Sequence, residues 1–253
     1  MIDFFILGLA AFFAGMVDAV VGGGGLIQLP ALFSLLPGTA PATLLGTSKL
    51  AGVWGTGAAA LTYARKIRVE WNTALPAAIS AFLCAFLGAY TVTRLPPDFL
   101  RDVLPLLLLG VAIYTFEKKD FGKQHVPVHR GRREFSFAVL LGAGIGFYDG
   151  FFGPGTGSFL LFLFIRFFGF DFLGASAAAK IVNVACNVAA LLWFGISGHL
   201  LIQLGILMAV CNIAGSIIGT RLALRYGSVW IRKLFLWVVI VLLIKTGFDA
   251  VST

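Results

Sequence analysis

The chain has 253 residues, 59% of them hydrophobic and only 12% charged, with a mean hydropathy of +0.97. A soluble domain carries about 25% charged residues, so there is too little charge to cover a water-facing surface. The net charge of +8 therefore marks no nucleic-acid binder, and the composition is that of an all-α polytopic membrane protein.

Apolar stretches run at 2–21, 25–36, 43–64, 72–94 and 103–116. The polar stretch Glu117–Glu134 follows, rich in Lys and Arg and holding His125 and His129. Five more apolar stretches run at 135–152, 153–168, 175–196, 201–224 and 229–249. Lipid offers no partner to an open strand edge, so these runs are expected to be helices. A span needs about 20 apolar residues; the stretches 25–36, 103–116 and 153–168 fall short, and 25–36 and 153–168 either span or re-enter. No basic segment precedes the first stretch, Lys49 being the first Lys or Arg, so no signal peptide is expected. Cys84, Cys186 and Cys211 lie inside apolar runs with no CxxC and read as small buried hydrophobes.

Residues 135–253 repeat residues 1–116 without a gap, on either side of the basic loop 117–134, which is expected to be cytoplasmic. Adding 131 to a number in the first half gives its counterpart in the second. Asp18 meets Asp149, Lys49 meets Lys180, Arg94 meets Arg225 and Arg101 meets Arg232, while Gly15, Gly22 and Gly24 meet Gly146, Gly153 and Gly155. Lys and Arg gather in short cytoplasmic loops. If all ten stretches cross and the central loop lies inside, only Arg94, Arg101 and Lys245 face outside. If 25–36 and 153–168 re-enter, Arg166, Arg221, Arg225, Arg232 and Lys233 move outside while Lys245 moves in. The first arrangement is the ordinary one, and it makes two inverted homologous halves of about five helical segments each, with both termini outside.

Asp18, Lys49, Asp149 and Lys180 stand where apolar spans should hold no charge. Burying such a side chain at a bilayer centre costs at least ~2.5–3.5 kcal/mol on insertion scales, which makes these four candidates for function. Snorkelling toward the headgroups is the structural alternative for the lysines, and bracing a helix end is that for the aspartates. Tyr148, Phe151 and Phe152 surround Asp149 more bulkily than Val17, Val20 and Val21 surround Asp18. Asp149 is thus expected to be the better shielded and to carry a coupling proton, with Asp18 serving folding or both activities.

The runs Gly22-Gly23-Gly24-Gly25 and Gly153-Pro154-Gly155-Thr156-Gly157 break what would be continuous helices. Broken helices in matching positions of two halves point to a transporter's binding site. Their freed N–H groups and half-helix N-termini, at Gly22, Gly23, Gly24, Gly153, Gly155 and Thr156, suit an anion. No GK[ST] follows either run, so a phosphate-binding loop is disfavoured. Asn183 and Asn187 share a helix face with Lys180, and Thr47 and Ser48 precede Lys49. Ammonium, amide and hydroxyl donors together suit a small oxyanion; glue between helices is the structural alternative for the asparagines.

Together these features resemble the sulfite exporter TauE/SafE family of membrane permeases. The residues that carry the resemblance are Asp18 leading into a Gly-rich break, Gly46-Thr47-Ser48-Lys49, the basic central loop and the repeat of this plan. The second half has Ala177-Ala178-Ala179 in place of Gly46-Thr47-Ser48, so the two half-sites are not equivalent. The resemblance implies a bacterial inner-membrane carrier of a small sulfur-containing anion, such as sulfite or an organosulfonate. A passive anion channel would use the same lysines. A membrane enzyme acting on lipid is disfavoured, because no HExxH or GxSxG is present and no His lies in a span. No metal or cofactor is expected; the expected partners are the anion, a coupling proton and membrane lipid.

Overall fold

The computed structural model describes residues 2–117 and 131–226. The described residues form nine helices and no strand: α1 (Ile2–Val21), α2 (Gly25–Leu35), α3 (Pro41–Lys66), α4 (Trp71–Val92), α5 (Pro97–Glu117), α6 (Arg132–Phe151), α7 (Thr156–Phe168), α8 (Phe172–Ile196) and α9 (Ile202–Tyr226). The tenth apolar stretch, 229–249, and residues 118–130 of the basic stretch, with His125 and His129, lie outside the described residues. Among the described helices α1, α4, α8 and α9 are long and apolar enough to cross a membrane.

Helices α3, α5, α6 and α8 start earlier than the apolar runs because their first turns are polar or capped. Pro41 and Pro97 open α3 and α5, where the missing N–H costs nothing. Asp171 caps α8, its side chain accepting from the Gly174 amide at 2.6 Å. The charged residues Arg132, Arg133 and Glu134 belong to the first turn of α6, and Glu117 closes α5.

Packing follows membrane logic, with large side chains outward and small ones inward. On α4, Leu75, Ile79, Leu83 and Leu87 are all exposed, while Ala74, Ala77, Ala81, Ala85 and Ala89 are buried. The small face meets α6 at close range: Gly142 lies on Ala77, Gly146 on Ala81 and Gly150 on Ala85. These contacts advance together along both chains, so α4 and α6 run in the same direction. On the other side Gly215 lies on Phe12 and Gly219 on Met16, and α1 and α9 likewise run together.

The remaining directions come from named contacts. Thr47 meets Leu201, Leu50 meets Gly205 and Gly55 meets Asn212, so α3 runs with α9. Trp193, near the end of α8, packs on Phe86 and Tyr90, near the end of α4. Between α3 and α8 the order reverses: Lys49 reaches Asn187, while Thr56 and Lys180 share the Asp18 carboxylate. Helices α1, α3 and α9 therefore point one way and α4, α6 and α8 the other. The short helices α2 and α7 have 11 and 13 residues. At 1.5 Å per residue they reach about 16 and 20 Å, less than the ~30 Å hydrocarbon core.

Candidate functional site

One turn before each helix break stands an aspartate, Asp18 in α1 and Asp149 in α6. The chain then turns through Gly22 at φ +78° and Gly153 at φ +97°, a region that glycine enters without the Cβ clash. The two breaks touch. Gly22 lies against the Gly157 backbone, leaving no space for a side chain, and Gly25 packs closely on Pro154. Ser158 donates to the Val21 carbonyl at 2.5 Å, and the Tyr148 hydroxyl to the Pro154 carbonyl at 2.6 Å.

Lys49 and Lys180 are each the ninth residue of their helices, about 12 Å from the helix start at the α-helical rise. Both turn inward to the carboxylates. Lys49 Nζ lies 2.5 Å from Asp149 Oδ2 and donates to Asn187 Oδ1 at 3.1 Å. Lys180 Nζ lies 3.0 Å from Asp18 Oδ2 and also donates to the Asp18 carbonyl, at the C-terminal end of α1. Neither lysine snorkels, and neither aspartate caps the following helix, whose N-cap positions Gly24 and Gly155 have no side-chain cap. Each ion pair joins one half of the chain to the other.

The pairs are alike in kind and unlike in surroundings. The Asp149 side chain is 2% exposed and the Asp18 side chain 16%. Asp18 also accepts from the Thr56 hydroxyl at 3.1 Å. Lys180 is held at the helix end, where a cation is favoured by the partial negative charge of the exposed carbonyls.

A cavity of about 60 Å³ opens between the breaks and the Lys49–Asp149 pair. A water needs roughly 10–15 Å³ by this measure, so the cavity has the size of a few waters or one small oxyanion. Asp18, Lys49, Asp149, Ser48, Asn183 and Asn187 line it, with Gly22, Gly24 and Gly153. The amides of Gly23, Gly24 and Gly25 find no acceptor among the described residues, which leaves the start of α2 a cluster of free donors. Lys180 stands behind Asp18, outside the lining. Thr47 ties α3 to α9 by accepting from the Leu201 amide at 3.0 Å, and Thr156 bonds the Gly153 carbonyl within its own turn at 2.8 Å. Gly155 sets the left-handed turn into α7 at φ +79°.

Two polar residues join the site that the repeat comparison passes over. Asn212 donates to Gln28 Oε1 at 3.3 Å and to the Ala11 carbonyl at 3.0 Å, and Gln28 donates to the Ser48 carbonyl at 3.2 Å. Both line the cavity. Their counterparts are Phe159 and Ala81, so matching the halves hides them; an amide inside an apolar span was the available signal.

Comparison with known proteins identifies the family of the chain. The family model described as sulfite exporter TauE/SafE matches residues 7–246. A Sinorhizobium protein named probable membrane transporter protein ORF9 is 41% identical over 237 residues, covering 94% of this chain and 89% of its own. The probable membrane transporter protein YfcA of Escherichia coli K12 is 33% identical over 247 residues, covering 97% and 90%. A probable membrane transporter protein of Haemophilus influenzae is 32% identical over 245 residues, covering 96% and 94%. No solved structure matches the chain.

Proposed function

The chain belongs to the sulfite exporter TauE/SafE family of multi-pass membrane transporters, and from that premise we propose that it is a secondary carrier of a small oxyanion, sulfite or an organosulfonate. The observation that carries this reading is the small cavity, lined by charged and amide side chains, where the two broken helices meet. It holds an ammonium, amide groups and free backbone N–H donors within the volume of one such anion. The anion would displace the Asp149 carboxylate from Lys49, take the Asn187, Asn183 and Ser48 side chains as further partners, and meet the N-terminal end of α2. Lys180 would shape the site from behind, through Asp18.

The opposed directions of α1 and α6, α3 and α8, and α4 and α9 support an inverted relation between the halves. In a carrier so built, each half presents its break to the shared site from one side, and rocking of one half against the other exposes the site alternately. A cavity this small, lined by the Lys49–Asp149 pair, favours a carrier over a passive channel. Asp149 is the coupling residue in this reading, because its protonation would free Lys49 for the substrate.

The test is uptake by proteoliposomes of the purified protein, offered sulfite, sulfate, methanesulfonate and a neutral control. Saturable uptake of one sulfur oxyanion, lost in the Lys49→Met/Asp149→Asn double variant, is expected. That variant keeps the site neutral and its shape nearly unchanged. Undiminished uptake by it would remove Lys49 from the site.

A further inference from the structure

The charges around the cavity cancel, and we infer that transport through it is electroneutral: one singly charged oxyanion crosses together with one proton held on Asp149. The inference rests on the anion-carrier reading and adds the charge of the substrate and the stoichiometry.

The cavity is bordered by Lys49, Asp149 and Asp18, with Lys180 on Asp18, and no other charged side chain lines it among the described residues. Two cations and two anions sum to zero. An anion entering this cavity with all four groups ionised would leave one uncompensated negative charge among largely buried groups. Such a charge is strongly disfavoured in a low-dielectric interior. The imbalance disappears if one carboxylate takes up one proton per negative charge. The Asp149 carboxylate becomes a carboxyl group, its ion pair with Lys49 is released, and the ammonium pairs with the substrate.

The two carboxylates are not equally placed for this. Facing Asp149 are Lys49 from α3, the Cys186 thiol from α8 and the Tyr148 hydroxyl of its own helix. Helix α4 holds no charged residue, and the sole charge of α7, Arg166, lies in its last turn. Proton uptake by Asp149 thus liberates one ammonium, and that ammonium lines the cavity. Facing Asp18 are Lys180 from α8, with Thr56 and Tyr63 from α3; α2 contributes no charge. Proton uptake there liberates Lys180, which remains bound to the α1 carbonyl and stands outside the lining. One accessible ammonium matches one negative charge. A simple sulfonate or hydrogensulfite fits, whereas a dianion needs a second cation that the cavity does not present.

The experiment uses proteoliposomes holding the full chain, with valinomycin and potassium gradients to set the membrane potential and an entrapped pH dye. Methanesulfonate and hydrogensulfite are the probes. The expected result is accumulation driven by a pH gradient, one proton entering per anion, with the final ratio unchanged by potentials of either sign. If net charge moved, the ratio would shift about tenfold for each ~60 mV, the equivalent of 2.3 kcal/mol per charge per 100 mV. Such a shift, or sulfate moving faster than methanesulfonate, would overturn the inference while leaving the anion reading intact. Failure of all the anions to move, with the protein folded in the liposomes, would overturn the reading itself. Should Asp149→Asn fold, its anion movement is expected to become potential-dependent; should it not, the wild-type ratio decides alone.

Discussion

Removing one member of the Lys49–Asp149 pair should cost far more than removing both. The pair is 2.5 Å apart, and its side chains are 9% and 2% exposed. Lys49→Met leaves the Asp149 carboxylate without a cation in a site closed by α3, α6 and α8. Breaking a buried pair in this way costs about 3–5 kcal/mol. Asp149→Asn leaves the ammonium with amide partners alone, Asn187 Oδ1 among them, which puts its cost toward the lower end of that range. The double variant buries no charge at the site, so its cost should lie below that of either single change. The coupling energy should then exceed the cost of the worse single change, about 3–5 kcal/mol, at or above the top of the range for residues in contact. Reversible unfolding of the four proteins in mixed detergent micelles measures the cycle. Additive effects, agreeing within about 0.5 kcal/mol, would refute the account of a buried and mutually dependent pair. Repeating the cycle on Lys180 and Asp18 should give a smaller coupling, because Asp18 keeps the Thr56 hydroxyl and is more exposed.

Two glycines on α3 should respond in opposite senses. A Cβ on Gly55 would strike Asn212, whereas Gly57 faces open space; Gly55→Ala should destabilise by about 1–3 kcal/mol and Gly57→Ala should stabilise by roughly 0.5–1 kcal/mol, both read from the same micelle unfolding curves. Arg68→Cys and His199→Cys occupy corresponding loops, and inverted halves require impermeant thiol reagents to label them from opposite sides; labelling from one side would make the repeats parallel. Asp149→Asn should weaken accumulation driven by pH yet spare exchange of substrate for substrate, while Asp18→Asn should impair both. Equal loss of the two activities in Asp149→Asn would remove it as the proton carrier.

The helices, the breaks and the four charges within the apolar runs were legible in the sequence because a membrane chain is sparing with polar residues, and each departure from apolar composition stands out. The helix starts were less legible, since Asp98, Arg101 and Asp102 interrupt the apolar run yet belong to α5. Which lysine meets which aspartate was not legible at all. Lys49 lies 31 residues from Asp18 in sequence yet pairs with Asp149, 100 residues away. Hydropathy and periodicity describe one helix at a time; the pairing is set by how α3 crosses α8 and α6. The resemblance to a transporter family came from the joint pattern of breaks and charges, and the family match bears it out. Gln28 and Asn212 were overlooked for a physical reason: the site is asymmetric, and a search for matched residues finds only its symmetric part.

The exchange of partners across the halves also bears on how such a protein is made and how it arose. When the first half leaves the ribosome, Asp18 and Lys49 enter the membrane before their partners exist, so this half holds two orphaned charges until the second is inserted. Synthesised alone it should be a substrate for membrane proteases, and co-expression of the two halves as separate chains should rescue both. The same geometry describes an ancestor. Let a single half meet a second, oppositely inserted copy of itself: the aspartate of each then faces the lysine of the other, the self-complementary contact of a two-fold dimer. Fusion of two such genes would preserve both ion pairs, and only afterwards could the first half keep Gln28 and the second Asn212 for recognition, while the matching positions, Phe159 and Ala81, went to packing.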